Sequence, residues 1–135
     1  MRVDGDMFGT LDVAVSGLKA SRKHMDVVTS NIVNAQTTDT GKGEPYRRLE
    51  AVFKASKEGI SGVEVADIAS DPSEFQKVLK PGHPQADAQG YVRMPNVSLP
   101  RELIQMNQAT RAYEANASIL RRYQRMVEAS LALLR

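Results

Sequence analysis

Between Leu99 and Leu134 apolar residues return at every seventh position. Leu99, Met106, Tyr113, Leu120, Val127 and Leu134 form one row, and Leu103, Thr110, Ala117, Gln124 and Leu131 form a second. Spacing that alternates between three and four, sustained for about five heptads, is the pattern of a helix lying along a partner helix. At 1.5 Å per residue that helix is roughly 54 Å long, more than a small globular core needs. Pro100 suits a first helical turn, where its missing N–H costs nothing. Ser98 or Asn96 stands where an N-cap belongs, and Glu102 sets a negative charge at the positive pole of the helix dipole. No Gly or Pro follows Pro100, so nothing interrupts the helix. Thr110, Ala117 and Gln124 soften the second row; polar residues on a seam cost stability and fix register or partner number. The pattern predicts a two-helix hairpin within the chain and is compatible with further contacts between chains.

A second amphipathic helix is predicted from Phe8 to Ala35. Leu11, Leu18, Met25 and Ile32 again recur every seven residues, and Val15, Val28 and Ala35 widen the stripe. Gly9 and Gly17 weaken it by about 1 kcal/mol each relative to Ala, and Gly17 permits close approach of a neighbouring helix. Asn tolerates the left-handed conformation that closes helices, which places the helix end at Asn34 or a neighbour, and the Thr/Asp/Gly run over 36–44 reads as a mobile connector.

From Pro45 the period changes. Tyr46 to Phe53 alternates in part, with Leu49, Ala51 and Phe53 on one face. Lys57-Glu58-Gly59 makes a turn, and Val63, Val65 and Ala66 to Ile68 give a second short strand. Asp71-Pro72-Ser73 opens a brief turn anchored by Phe75 and Val78. Pro81-Gly82-His83-Pro84 is a compact turn, and Gly90 to Met94 reads as a third strand closed by Pro95. The fold class is therefore mainly α with a small β insert. Long N- and C-terminal helices pair as a coiled coil around a short-stranded β-rich middle. Three segments result: an N-terminal helix over 1–35, a connector and insert over 36–98, and a C-terminal helix over 99–135.

Composition narrows the function classes. Aromatic residues make up 5% of the chain and Trp is absent, which favours several narrow seams over one large core. Without Cys there is no disulfide framework, thiolate metal site or cysteine nucleophile. His24 and His83 each have one carboxylate nearby, but no second His or Cys completes a metal site. Neither a phosphate-binding Gly-rich loop nor a Gly-x-Ser-x-Gly elbow occurs, so no enzyme activity, cofactor or metal is expected. No apolar run is long enough to span a bilayer. The acidic start Met1-Arg2-Val3-Asp4-Gly5-Asp6 does not read as a secretory signal peptide. The net charge of +2 is concentrated at Arg111, Arg121, Arg122, Arg125 and Arg135. Only the isolated Tyr113 and Tyr123 fall among these arginines, which is no interleaved aromatic platform, and nucleic acid is not the expected partner.

Several stretches together resemble the bacterial flagellar basal-body rod proteins. Ser16-Gly17-Leu18-Lys19-Ala20-Ser21, followed by Met25 to Thr38, is similar to that family's N-terminal signature. Asn31, Ile32 and Asn34 fit its Asn-Asn-Ile-Ala-Asn-like segment, while Ser30 and Val33 depart from it. Pro45-Tyr46-Arg47-Arg48, Asp71-Pro72-Ser73, Pro81-Gly82-His83-Pro84 with Gln85-Ala86-Asp87, Gly90-Tyr91-Val92 and Pro95-Asn96-Val97 are similar, in that order and spacing, to the family's proximal-rod members. Glu102, Met106, Ala109, Arg111, Ala112, Tyr113, Ala115 and Asn116 resemble its C-terminal helix.

The resemblance implies a non-catalytic subunit of the rod that transmits torque for motility. It implies export by the flagellar type III apparatus without a cleaved signal peptide, and assembly in the periplasm. The implied partners are other rod proteins, further copies of itself, the membrane ring protein at the rod base and the export apparatus. Leu11, Leu18, Met25, Ile32, Leu103, Met106, Tyr113, Leu120, Val127 and Leu131 are the expected helix-packing and assembly residues. Asn31, Asn34, Pro81, Gly82, His83 and Pro84 are the family motif. The heptads taken alone also fit a soluble coiled-coil adaptor or chaperone-like binding module.

Overall fold

A computed structural model describes residues 4–56 and 62–133, with side chains from Gly9 onward. The expected Lys57-Glu58-Gly59 turn and the last row position, Leu134, lie outside the described residues. Two long helices, α1 (Asp4–Val33) and α2 (Leu99–Ala132), enclose four strands in the chain: β1 (Leu49–Ala55), β2 (Val63–Ser70), β3 (Gln76–Leu79) and β4 (Tyr91–Met94). The helices account for most of the ordered backbone and the strands form two small antiparallel sheets, so the mixed architecture is roughly the expected one.

The helices run antiparallel. Asn31 meets Glu102, Met25 meets Thr110 and Gly17 meets Asn116, so numbers rise along one helix as they fall along the other. The seam between them is built from Gly17, His24 and Asn31 of α1 and Glu102, Ala109 and Asn116 of α2. Both sets have heptad spacing, but both are small or polar. Gly17 has a local reason to lack a side chain, since a Cβ there would lie 2.7–2.9 Å from the Asn116 amide. Ala14, Ala20, Val27, Val28 and Ala109 complete a thin core.

α1 starts four residues before Phe8, because Asp4 and Asp6 suit the positive pole of the helix dipole. It ends at Val33 rather than at Asn34 or Ala35, and no residue other than glycine has a positive φ among those described. The Asn34 side chain instead donates to the Ser30 carbonyl at 2.9 Å and accepts from the Thr37 hydroxyl at 3.2 Å. The connector beyond it is organised on Asp39, whose Oδ1 accepts from the N–H groups of Gly41 and Gly43 at 2.8 and 2.9 Å.

β1 and β2 form an antiparallel hairpin laid on one side of the helix pair. The Val63 N–H donates to Ser16 Oγ at 3.1 Å, and the Phe53 ring meets the His24 ring edge-on with centroids 5.4 Å apart. The ladder shifts register between Val52 and Phe53, leaving Ala66 as the extra residue on β2. That bulge moves the positions of β2 facing the partner's inner residues from Val63 and Val65 to Ile68 and Ser70. It explains why the sequence alternation fails at Ala66. The first strand starts at Leu49, three residues after Tyr46, because Tyr46 to Arg48 turn their polar groups elsewhere.

β3 and β4 form a second hairpin over the chain that reads as a turn at Phe75 and Val78. Four residues are too few to display a period, and the pairing is set by the closing loop. In that loop Lys80 N–H donates to the Gly90 carbonyl at 2.8 Å, Gly90 sits at φ +83°, and His83 Nδ1 accepts from the Gln85 N–H at 3.1 Å. The Pro81-Gly82-His83-Pro84 segment is therefore a hairpin loop, and Val92 beside it is fully buried.

Candidate functional site

At the closed end of the helix pair, a polar cluster ties four parts of the chain together. Asn31 is 0% exposed and uses all of its hydrogen-bonding capacity. Its Nδ2 donates to the Leu49 carbonyl at 2.8 Å and to Glu102 Oε2 at 3.0 Å. Its Oδ1 accepts from the Leu49 N–H and the Tyr46 hydroxyl, both at 2.9 Å. Glu102, also 0% exposed, receives Arg48 Nε on its other oxygen at 2.7 Å. Arg48 reaches Asp71 at 3.5 Å and Glu50 at 3.7 Å. The backbone N–H of Arg48 donates to Asn96 Oδ1 at 2.8 Å, and Asn96 Nδ2 donates to the Ser73 hydroxyl at 2.9 Å. Arg47 donates to the Asp71 and Ser73 carbonyls at 2.9 Å and lies over the Phe75 ring. No buried side-chain nitrogen or oxygen lacks a partner among the described residues.

The electrostatics follow from that geometry. Burial works against the Arg48 charge, but the hydrogen bond and charge of Glu102, with Glu50 and Asp71, outweigh it and hold the guanidinium more firmly protonated than usual. Hydrogen bonds from the Ser73 N–H and hydroxyl keep the Asp71 carboxyl below its ordinary value. Forming a buried ion pair gains little over an apolar contact, whereas leaving one partner alone is costly. The cluster therefore acts as a register lock: α1, β1, α2 and the segment before β3 close together or not at all.

His24 borders this lock. Burial pushes it below the usual histidine value, against the pull of Glu102 and a hydrogen bond to Gln105; Arg48 adds to the lowering and Glu50 opposes it. A histidine whose folded value is depressed binds its proton more readily in the unfolded chain. Stability should thus be greatest above about pH 6.5 and fall as pH drops from there through the depressed value. Urea midpoints between pH 5 and 8 check this, with His24→Gln expected to flatten that part of the profile; an unchanged slope in the variant would remove His24 as the cause.

By helical phase, the ten expected packing residues lie along one flank of the seam. Leu11, Leu18, Met25 and Ile32 each follow a heptad seam position of α1 by one residue, and Leu103 and Leu131 do so on α2. Met106, Tyr113, Leu120 and Val127 follow α2 seam positions by four. Steps of one and of four rotate in the same direction around a helix, and antiparallel packing brings the two shoulders to the same side. The Thr110 hydroxyl, 3.7 Å from Met25 Sδ, marks where they touch. This side lies away from Ser16 and His24, where the β1–β2 hairpin meets α1, and among the described residues no strand packs on α2. Leu11, Leu18, Met25, Ile32, Met106 and Leu120 are half-buried there and Tyr113 and Val127 are more exposed. Leu103 and Leu131 are 59% and 60% exposed.

Of the motif residues, the structure brings Asn31 into the lock, Asn34 to the end of α1, and Pro81, Gly82, His83 and Pro84 to the outer hairpin loop. Glu102 reads in the sequence as a first-turn negative charge that the helix dipole favours and proves to be the lock's centre. Ser98 holds the N-cap position without a side-chain bond, and Asn96 bonds to Arg48 instead. Tyr46, Arg48 and Asp71 lie in stretches that carry the family resemblance but are not among the expected site residues; a further sign is Glu102 falling in phase with Ala109 and Asn116. No group of three His, Cys, Asp or Glu side chains suited to a metal occurs among the described residues. No helix among them is long and apolar enough to cross a membrane.

Comparison with known proteins finds a flagellar basal-body rod family at each end. Residues 11–39 match the family described as flagella basal body rod protein, and residues 88–133 match the flagellar basal body rod FlgEFG protein C-terminal family. The flagellar basal-body rod protein FlgC of Yersinia enterocolitica is 40% identical over 84% of this chain and 87% of its own. FlgC of Borreliella burgdorferi is 36% identical over 95% and 97%, and FlgC of Bacillus subtilis is 36% identical over 84% and 88%. With such identity across nearly the full length of both partners, the chain belongs to the flagellar basal-body rod protein family, as a structural rod subunit of the FlgC-like group.

Proposed function

We propose that this chain builds the proximal segment of the rod by packing its open apolar face against helices of neighbouring subunits. One observation carries the reading: a row of large apolar side chains runs along both helices, on the side away from the β1–β2 hairpin, and several of them, Leu103, Tyr113, Val127 and Leu131 among them, remain exposed. An apolar surface of that extent on a soluble subunit marks a protein contact. The heptads that read in the sequence as a coiled coil between the terminal helices engage in that way across subunits, with Leu103 and Leu131 seated between neighbouring helices. Segments 1–35 and 99–135 are then the assembly helices, and 36–98 is the insert that locks them together and stands outside the contact. The partners are further copies and other rod proteins, with the ring protein at the rod base. The chain reaches the periplasm through the flagellar export apparatus, without a cleaved signal peptide, and carries out no catalysis.

The test is purification of detergent-resistant basal bodies from cells that make the chain. We expect it in those particles at several copies each, and we expect Leu103→Asp with Leu131→Asp to fold, judged by circular dichroism, yet to be missing from them and to abolish swimming. A wild-type chain absent from the particles would overturn the rod reading. Normal incorporation of the double variant would remove the apolar face from the contact.

A further inference from the structure

Between the connector after α1 and the β3–β4 hairpin lies a cleft of about 160 Å³, whose walls include Thr38, Lys77, Gln85, Asp87, Tyr91 and Arg93. Polar bonds hold both walls in place. Gln85 Nε2 ties the hairpin loop to the connector by donating to Asp39 Oδ2 at 3.1 Å. Asp87 Oδ1 accepts from the N–H groups of Gln89 and Tyr91, both at 2.9 Å, which fixes the base of β4.

The two cations of this cleft stand where a strand pair disfavours them. Lys77 and Arg93 are paired in register. The bond from the Lys80 N–H to the Gly90 carbonyl sets the alternation of the ladder. It makes Lys77 and Arg93 a non-hydrogen-bonded pair, the kind whose side chains lie closest together. Like charges directly opposite each other are destabilising. Among the described residues neither side chain has a hydrogen bond or an ion pair; the Arg93 guanidinium lies 6.0 Å from the centre of the Phe75 ring. The hydroxyls of Thr38 and of Tyr91, two positions along the same strand face, are likewise without a partner among those residues.

Unpaired donors around one cleft fit an anion, and the chemistry narrows which one. Two cations against the single Asp87 carboxylate leave one positive charge in excess, a match for a monoanion. A guanidinium fork meets the two oxygens of a carboxylate in plane. Phosphate sites are instead built on backbone N–H groups at helix starts or in nests, and the Gly41 and Gly43 N–H groups of the connector are already taken by Asp39. The cleft is smaller than the roughly 300–1,000 Å³ of pockets for whole small molecules, which suits one side chain reaching in from a protein. We propose that this cleft receives an Asp or Glu side chain from an acidic segment of a partner protein. Arg93 grips the carboxylate, Lys77 and the Tyr91 hydroxyl close on it, and its charge relieves the repulsion between Lys77 and Arg93. The site lies on the insert, apart from the helices, and does not depend on the rod-subunit reading.

Titration of the full-length, isotope-labelled chain followed by NMR tests it at constant ionic strength. The probes are a capped peptide of alternating Glu and Gly, the same peptide with Gln for Glu, and inorganic phosphate. The Glu peptide should shift the amide signals of Lys77, Tyr91 and Arg93 saturably, and the Gln peptide should bind at least about tenfold more weakly. Arg93→Gln should cost a similar factor and Arg93→Lys less, since lysine keeps the charge but not the fork. Lys77→Gln should weaken the peptide while raising the urea midpoint of the free chain, because it removes a like-charge pair. No saturable shift, equal binding of the Gln peptide, or full affinity in a folded Arg93→Gln chain would overturn the site. Phosphate binding as tightly as the Glu peptide would overturn its assignment to a carboxylate. The rod reading is tested separately, since it fails only if the unmodified chain is absent from basal bodies.

Discussion

Glu102→Ala is expected to lower the free energy of unfolding by about 3–5 kcal/mol, the cost of leaving one half of a buried ion pair without the other. The Arg48 guanidinium would remain where Glu102 left it, inside a cluster with only Asp71 and Glu50 at 3.5 and 3.7 Å. Asn31 would lose one of the two acceptors of its amide. Urea denaturation of the isolated chain measures this directly. A loss below about 1 kcal/mol, the level of an exposed pair, would mean that water reaches Arg48 and that the lock is a surface feature. Glu102→Leu separates charge from packing: it fills the space but still strands Arg48, so its cost should stay close to that of alanine.

Asn31→Asp is the second large effect, and it changes the side chain without changing its size. The aspartate keeps its acceptors toward the Leu49 N–H and Tyr46, but loses both donors, those to the Leu49 carbonyl and to Glu102 Oε2. Two stranded buried groups at about 1–3 kcal/mol each give a loss of about 2–6 kcal/mol at pH 7. The new carboxylate also faces that of Glu102, which raises its folded pKa above the unfolded value near 3.9. The folded variant then binds the extra proton first, so its deficit should shrink as pH falls through the raised value toward the unfolded one. Denaturation at pH 7 and pH 5 decides: a deficit that is the same at both would assign the loss to geometry rather than to charge.

The sequence shows long-range order well and polar contacts poorly, for physical reasons visible at single residues. Leu11 to Ile32 and Leu99 to Val127 announce two helices because burial repeats with helical period over many turns. The same repetition hides the seam. Gly17, His24 and Asn31 share a heptad phase, as do Glu102, Ala109 and Asn116, but small and polar side chains give no apolar signal. The larger residues one step away attract the eye. Close approach selects the small ones, and Asn116 against Gly17 shows how little room is left. Glu102 is the plainest case. An acid three residues into a helix has a sufficient local reason to be there, and only the arrival of Arg48, fifty-four positions away in the chain, reveals a second one. β3 was invisible because its four residues pair only after Gly90 closes the loop. The strand pair β1–β2 was legible in kind but not in detail, because the bulge at Ala66 breaks the alternation on which a reading by period depends.

The placement of the lock at one end of the helix pair also has a mechanical meaning. From Glu102 to Leu131 α2 extends about 43 Å beyond its anchored root, and along that length it meets α1 through small side chains and one long sulfur contact to Met25. The pair is thus pinned by charged and polar bonds at its root and joined by smaller side chains further along, like a lever held at one end. A tilt of about 5° at the root carries the tip through about 4 Å, roughly two-thirds of the rise of a single helical turn. Copies set at slightly different curvatures can share one root geometry and absorb the difference at their tips. The bending stiffness of an assembly made this way is then governed by how tightly tips are gripped by neighbours, not by how firmly each root is held.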